Sequence, residues 1–374
     1  MKPTSFLLAA AGLALLTACN DATSPTDPSL SAHRMAAGGT RRVSVMTRNV
    51  YIGFDGDAAI AALATGDPAV FGPVLAQAVT TLQNTDFGTR ARAFVAEIER
   101  ARPDMVGLQE VYQIHADLSA FGLPVTIDLD YLQILQAALA QRHLPYAVVA
   151  TIVDTDMQPF PGIELVDRDV LLVNTEHVTV GTGVIAKTFE YNIGPIAPGI
   201  DKKAGYIAAP LTVDGIGLTF VTTHLESDLG PGSYPLVTQL RAAQATEIAT
   251  VIAAAPRAVV VGDLNDTAGS MMYQVLAGAG FTDTWTALRP HEAGLTDNCF
   301  STDLSDRWPH CQQRIDFVFE RGLEQPRAGL LGIDYRVGIE PWERMHGPAG
   351  LIWPSDHAGV VGDFVVPVAH GLHT

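Results

Sequence analysis

Hydrophobic and polar residues alternate along Val43-Ser44-Val45-Met46-Thr47, the spacing of a strand with one buried face. Short apolar runs recur at Met105 to Leu108, 146–153, 169–173, 205–213, 217–223, Ala258 to Val261, Ile315 to Phe319 and Val360 to Val366. Each predicts a strand. Between them the period changes. Ala91, Phe94, Val95 and Ile98 follow i, i+3, i+4, i+7, which predicts a helix with one buried stripe, capped by Asp86 and ended by Pro103. Tyr131 to Ala140 predicts a second helix. A third, over 238–253, carries Ala245, Ile248, Ala249 and Ile252 on one face. Residues 57–84 are alanine-rich and read as helical or mixed, with breaks at Gly66-Asp67-Pro68 and Gly72-Pro73. Strands alternate irregularly with a few helices. That order predicts an α/β chain of two packed β layers with helices outside, rather than a regular βαβ sheet.

The first residues do not belong to this pattern. Lys2 precedes an apolar run from Phe6 to Leu16, followed by Leu16-Thr17-Ala18-Cys19. The run is short for a membrane span and predicts a signal peptide over residues 1–18. Leu-Thr-Ala-Cys resembles the lipobox of bacterial lipoproteins. On that resemblance Cys19 becomes the lipid-modified first residue of an exported, membrane-anchored protein at the periplasmic face or cell surface. An ordinary secretory signal cut near Ala18 is the alternative. Residues 19–40 are rich in Asp, Ser, Thr, Pro, Ala and Gly and predict a flexible tether. Residues 41–374 show no linker-like break and are taken as one domain. Cys299 and Cys311 remain as a pair for which an exported compartment permits a disulfide, and no zinc-type spacing competes.

Composition narrows the partners. Hydrophobic residues make up 48% of the chain, enough for a large core, and the formal charge of −17 argues against a surface built for nonspecific binding to polyanions. A bound divalent cation would offset such charge locally, so a nuclease stays open.

Six polar signals sit in or at the ends of predicted strands. Thr47-Arg48-Asn49 ends the first; an Asn there ligates or orients a hard metal, or simply forms a turn. Leu108-Gln109-Glu110 ends the next, and its carboxylate is a natural Mg2+ ligand or an exposed strand end. Thr222-Thr223-His224 offers a donor to phosphate, or a satisfied core histidine. Gly262-Asp263-Leu264-Asn265 follows three valines. Gly262 permits close approach, and Asp263 and Asn265 point the same way if the extended geometry persists. Asp316 lies inside an apolar strand and needs a partner, either an arginine or a histidine that it orients. Ser355-Asp356-His357 supplies that histidine.

Taken in order, Asn49, Gln109-Glu110, His224, Gly262-Asp263-Leu264-Asn265, Arg314-Ile315-Asp316 and Ser355-Asp356-His357 resemble the endonuclease/exonuclease/phosphatase superfamily over residues 43–366. The resemblance implies a four-layer α/β/β/α sandwich of two packed mixed β-sheets flanked by helices, with the site at one edge of both sheets. It implies a Mg2+ site, with Mn2+ as a substitute, at Glu110 helped by Asn49 and Asp356. Asp263 is then the group that positions or deprotonates water, and Asn265 the amide donor to phosphate. His357, oriented by Asp316, binds the phosphate or acts as base. His224 matches the nuclease and sphingomyelinase branches, with Asp169 a loose candidate partner; Arg241 and Gln244 support the site or face solvent.

The expected activity is metal-dependent phosphodiester hydrolysis. The substrate stays open between nucleic acid and a lipid or small-molecule diester, with phosphomonoesters third. A non-catalytic binding lipoprotein is the reading from another class. Few Arg/Lys clusters weaken the nuclease case. Trp342, Met345, Leu351, Ile352 and Trp353 crowd the approach to Ser355 and offer an apolar lip, or a loop packed on its own core.

Overall fold

The computed structural model describes residues 40–228, 233–323 and 335–367. The expected signal peptide, Cys19 and nearly all of the tether lie outside them. Among the described residues no helix is long and apolar enough to cross a membrane.

The strands form two large mixed sheets. In the first, Thr40–Asn49 runs parallel to Met105–Gln109 on one side and antiparallel to Gly359–Pro367 on the other. Ile163–Asn174 and Tyr146–Phe160 extend it. In the second, Ala258–Asp263 lies at the centre, parallel to Ile216–His224 and antiparallel to Asp316–Arg321, and Gly205–Val213 pairs with the outer side of Ile216–His224.

Strand alternation then builds three apolar layers. Val43, Val45, Leu171, Phe220, Val259, Val261 and Val318 face between the sheets. Their neighbours Met46, Val106 and Leu172 turn outward to the helices Phe87–Ala101 and Tyr131–Gln141. On the other side Val221, Val260 and Phe317 pack against Tyr234–Val251 and Met271–Gly278. The four-layer α/β/β/α sandwich therefore stands. The predicted helical stripe is the buried one: Ala91, Phe94, Val95 and Ile98 are each at most 1% exposed.

Local chemistry sets the helix ends. The Asp86 and Asp130 carboxylates accept from the backbone N–H groups of Thr89 and Leu132, which would otherwise lack partners. The alanine-rich region is two helices, Gly56–Ala64 and Pro68–Thr85, capped by Asp55 and Asp67. The break at Gly66-Asp67-Pro68 is real, but the one at Gly72-Pro73 is not. Pro73 lies in the second turn, where it removes one backbone bond, and Phe71, Ala78, Val79 and Leu82 still bury that helix.

Candidate active site

The two sheets bring the polar strand ends to one edge. His224, Asp263 and Asp316 are direct cross-strand neighbours on three adjacent strands of the second sheet. Asn49 is in register with Gln109 in the first, so Glu110 emerges beside it. The sheets meet closely here: Thr47 Oγ1 donates to Gln109 Oε1 (3.1 Å), and Gln109 Nε2 donates to Thr222 Oγ1 (3.1 Å). A Cβ at Gly107 would collide with Thr222 of the facing sheet, so that glycine is needed for this approach; one at Gly262 would collide with the Thr223 carbonyl of the neighbouring strand in the same sheet.

Asp263 is the hub. Its Oδ2 accepts from Asn49 Nδ2 (3.1 Å) and its Oδ1 from the Asn265 backbone N–H (3.0 Å). The rings of His224 and His357 lie 3.6 and 3.8 Å from Oδ2. Asn265 has φ 53°, so it reaches this centre through a turn rather than along an extended strand. Its Nδ2 donates to the Leu225 carbonyl (2.8 Å) and faces His224 Nε2 (2.9 Å). The amide expected to serve phosphate is thus occupied in fixing the His224 ring. Burial lowers the His224 pKa, which favours the neutral ring that accepts from Asn265.

His357 Nδ1 pairs with Asp316 Oδ2 at 2.9 Å. Burial alone would lower the His357 pKa. The Asp316 and Asp356 carboxylates outweigh it and push the pKa well above the imidazole range. Burial raises Asp316 to about 6. Asp316 therefore takes the histidine partner, and the alternative arginine partner is excluded: Arg314 forms a bidentate pair with Asp283 (2.9 and 2.7 Å).

Glu110 sits in the left-handed region at φ 60°, a strained position for a residue with a side chain. Its Oε1 accepts from Asn49 Nδ2 (2.8 Å) and its Oε2 from the Ile52 N–H (3.0 Å). Burial, then the Asp356 carboxylate, raises its pKa to about 7. Asp356 is raised as well, by burial. Glu110 and Asp356, two half-buried carboxylates of which Asp356 opposes the ionisation of Glu110, are residues that could hold a hard cation. Of the two roles expected of Asn49, ligating or orienting, its hydrogen bonds match the orienting one. Its Oδ1 is taken by the Tyr51 N–H (2.9 Å), and its NH2 faces the carboxylates, so it orients them. Asp263, Asp316 and His357 form a second compact group, with ligand atoms within 4.8 Å of one another. Its members are already joined by the Asp316–His357 bond.

Several expectations change. Asp169 is fully buried, and burial followed by the Asp167 carboxylate raises its pKa well above the usual carboxylate range. Arg241 and Gln244 are buried and brace the loop after His224: Arg241 Nε donates to the Glu226 carbonyl (2.6 Å), and Gln244 Oε1 accepts from the Glu226 N–H (3.3 Å). The apolar lip is absent from the cleft. Trp353 is buried and stacks on Phe300 (4.2 Å), Ile352 is buried, and exposed Trp342 covers Arg100.

Four residues escaped the sequence reading. Arg48, fully buried, pairs with Glu97 (3.0 Å) and donates to the His357 carbonyl. Arg90 donates to the carbonyls of Val50, Tyr51 and Pro354 and so ties the Asn49 loop to the loop before His357. Asp297 Oδ1 lies 3.4 Å from His357 Nε2. Lys202 is the one lysine or arginine among the described residues lining the cleft. Arg48 carried a usable signal, a charge inside a buried strand. Asp297 and Lys202 lie in polar runs that carry none.

The fold recurs among solved structures. An endonuclease/exonuclease/phosphatase family protein from Bacteroides thetaiotaomicron is 14% identical, with a TM-score of 0.52 over 90% of this chain and 100% of its own. One from Beutenbergia cavernae is 20% identical, with a TM-score of 0.52 over 87% of this chain and 72% of its own. One from Bacteroides vulgatus is 18% identical, with a TM-score of 0.51 over 86% and 98%. At such identities the likeness is one of fold. No curated protein matches the chain. The Endonuclease/Exonuclease/phosphatase family model matches residues 82–357, which span the site from Glu110 to His357, and the chain belongs to that family.

Proposed function

We propose that the chain is a divalent-metal-dependent phosphodiesterase that directs water in line at phosphorus. One observation carries the reading: Glu110, His224, Asp263, Asn265, Asp356 and His357 line a single cleft of about 460 Å3. Mg2+ or Mn2+ bound by Glu110 and Asp356 would neutralise a nonbridging oxygen and the charge that builds on the leaving oxygen. Asp263, held by Asn49 and the Asn265 N–H, aligns the attacking water and takes its proton. His357, paired through Nδ1 with Asp316 (2.9 Å), turns Nε2 to the phosphate as its donor. Its Nε2 lies 3.4 Å from Asp297, beyond ordinary N–H···O length, so that donor stays available.

The cleft favours a small diester over a polynucleotide. Carboxylates dominate its lining, with Lys202 as the single lysine or arginine among the described residues there. A polyanion needs several phosphate-neutralising cations. We expect hydrolysis of bis(p-nitrophenyl) phosphate with Mg2+ or Mn2+, abolished by EDTA and restored by added metal. Activity that survives exhaustive chelation contradicts the reading, and faster nicking of plasmid DNA reverses the substrate preference.

An exported lipoprotein is proposed on the same footing. The Cys299–Cys311 disulfide supports an oxidising compartment. Cys19→Ser is expected to move the protein from the membrane to the soluble fraction; unchanged membrane retention contradicts lipidation.

A further inference from the structure

Beside the catalytic cleft lies a second cavity of about 80 Å3. The helices Gly56–Ala64 and Pro68–Thr85 roof it with Ala59, Leu63, Ala78 and Leu82, and strand residues such as Ile114 and Leu165 floor it. Ile52, Phe54, Gly56, Ile60 and Tyr112 line both spaces, so chamber and cleft adjoin across a shared apolar wall. The shared residues follow Asn49 and Glu110 in the chain. The shared wall thus lies at the Glu110 corner of the cleft.

Its lining is apolar apart from the Tyr112 hydroxyl, which is engaged by Asp167. A buried water needs two to four polar partners, so this space suits carbon. Resting on the phosphodiesterase reading, we infer that the chamber receives a short aliphatic group on the substrate's phosphodiester. An apolar cavity of about 150 Å3 holds benzene, which scales to roughly three or four carbons here. The two helices that form the roof contribute nothing to the hydrolytic residues themselves, and this gives them a task.

The test is a series of p-nitrophenyl alkyl phosphates on the metal-loaded full chain. From methyl to butyl, kcat/KM rises about fourfold per methylene, then levels off through octyl. Equal values for methyl and butyl overturn the inference while leaving the hydrolytic reading intact. A rise that continues to octyl also overturns it, because the chain would then lie outside the chamber. Calorimetry with dimethyl and dibutyl phosphate needs no turnover. Tighter binding of the dibutyl ester with no hydrolysis of any ester supports the chamber and removes the phosphodiesterase reading instead. Ala59→Trp fills the space and Leu63→Gln makes its wall polar. Both are part-exposed helix positions, with folding checked by melting temperature. The butyl-to-methyl ratio is expected to collapse toward one in each. An unchanged ratio in folded Ala59→Trp and Leu63→Gln overturns the assignment.

Discussion

A buried guanidinium holds the backbone of His357. Arg48 is fully buried, donates to the His357 carbonyl, and is balanced by Glu97. Burial raises the Glu97 pKa from its ordinary 4.5 to about 6, although Arg48 opposes the shift. An acid whose pKa is higher folded than unfolded contributes stability that is present below the unfolded value and lost as pH rises through the folded one. Glu97 should therefore cost up to about 2 kcal/mol as pH climbs from 4.5 to 6. Denaturant melts between pH 4 and 7 check this: the stability of wild type relative to Glu97→Gln falls across that window. A flat difference contradicts the shift. Asp316 was legible because a carboxylate in an apolar strand must have a partner. The same reasoning applies to Arg48, which the motif reading passed over in favour of Asn49 beside it. Asp297 was not legible, since only folding brings it to His357.

At the scale of elements, the segment from Thr296 to Cys299 joins the two halves of the His357–Asp316 pair. Thr296 Oγ1 accepts from the Ile315 and Asp316 N–H groups, and the Thr296 carbonyl accepts from Ala358. The Cys299 N–H donates to the Asp356 carbonyl. The Cys299–Cys311 disulfide closes a loop from this segment, with a sequence separation of 12. Replacing both cysteines by serine is expected to lower stability by about 3 kcal/mol on the chain-entropy model, read as a lower denaturant midpoint. Hydrolytic activity should fall with it. Unchanged stability and activity would show that the hydrogen bonds suffice. Long strands were read correctly where alternation was unbroken. Tyr146–Phe160 was cut short at 153 because its register shifts three times, each shift moving side chains to the other face. The hairpin of Gln113–Asp117 and Thr126–Asp130 was missed because short strands exist only through their pairing.

Across the molecule, the net charge of −17 and a carboxylate-lined cleft both support the proposed preference for a small diester over a polynucleotide. Two packed β layers with helices outside were legible from the alternation of elements, and the four-layer order came from the resemblance that the ordered motifs carry. The roof over the apolar chamber was not: an alanine-rich helical pattern says that a face is buried, not what lies beneath it. The central claim is that Asp263 and His357 act on one phosphorus. The measurement is kcat/KM for bis(p-nitrophenyl) phosphate in Asp263→Ala, His357→Ala and the double variant, with Mg2+ saturating. Groups acting as one unit are strongly non-additive. Each single change should cost at least about a hundredfold, and the double variant little more than the worse single. Full activity in either single variant, or losses that multiply in the double, would contradict the account.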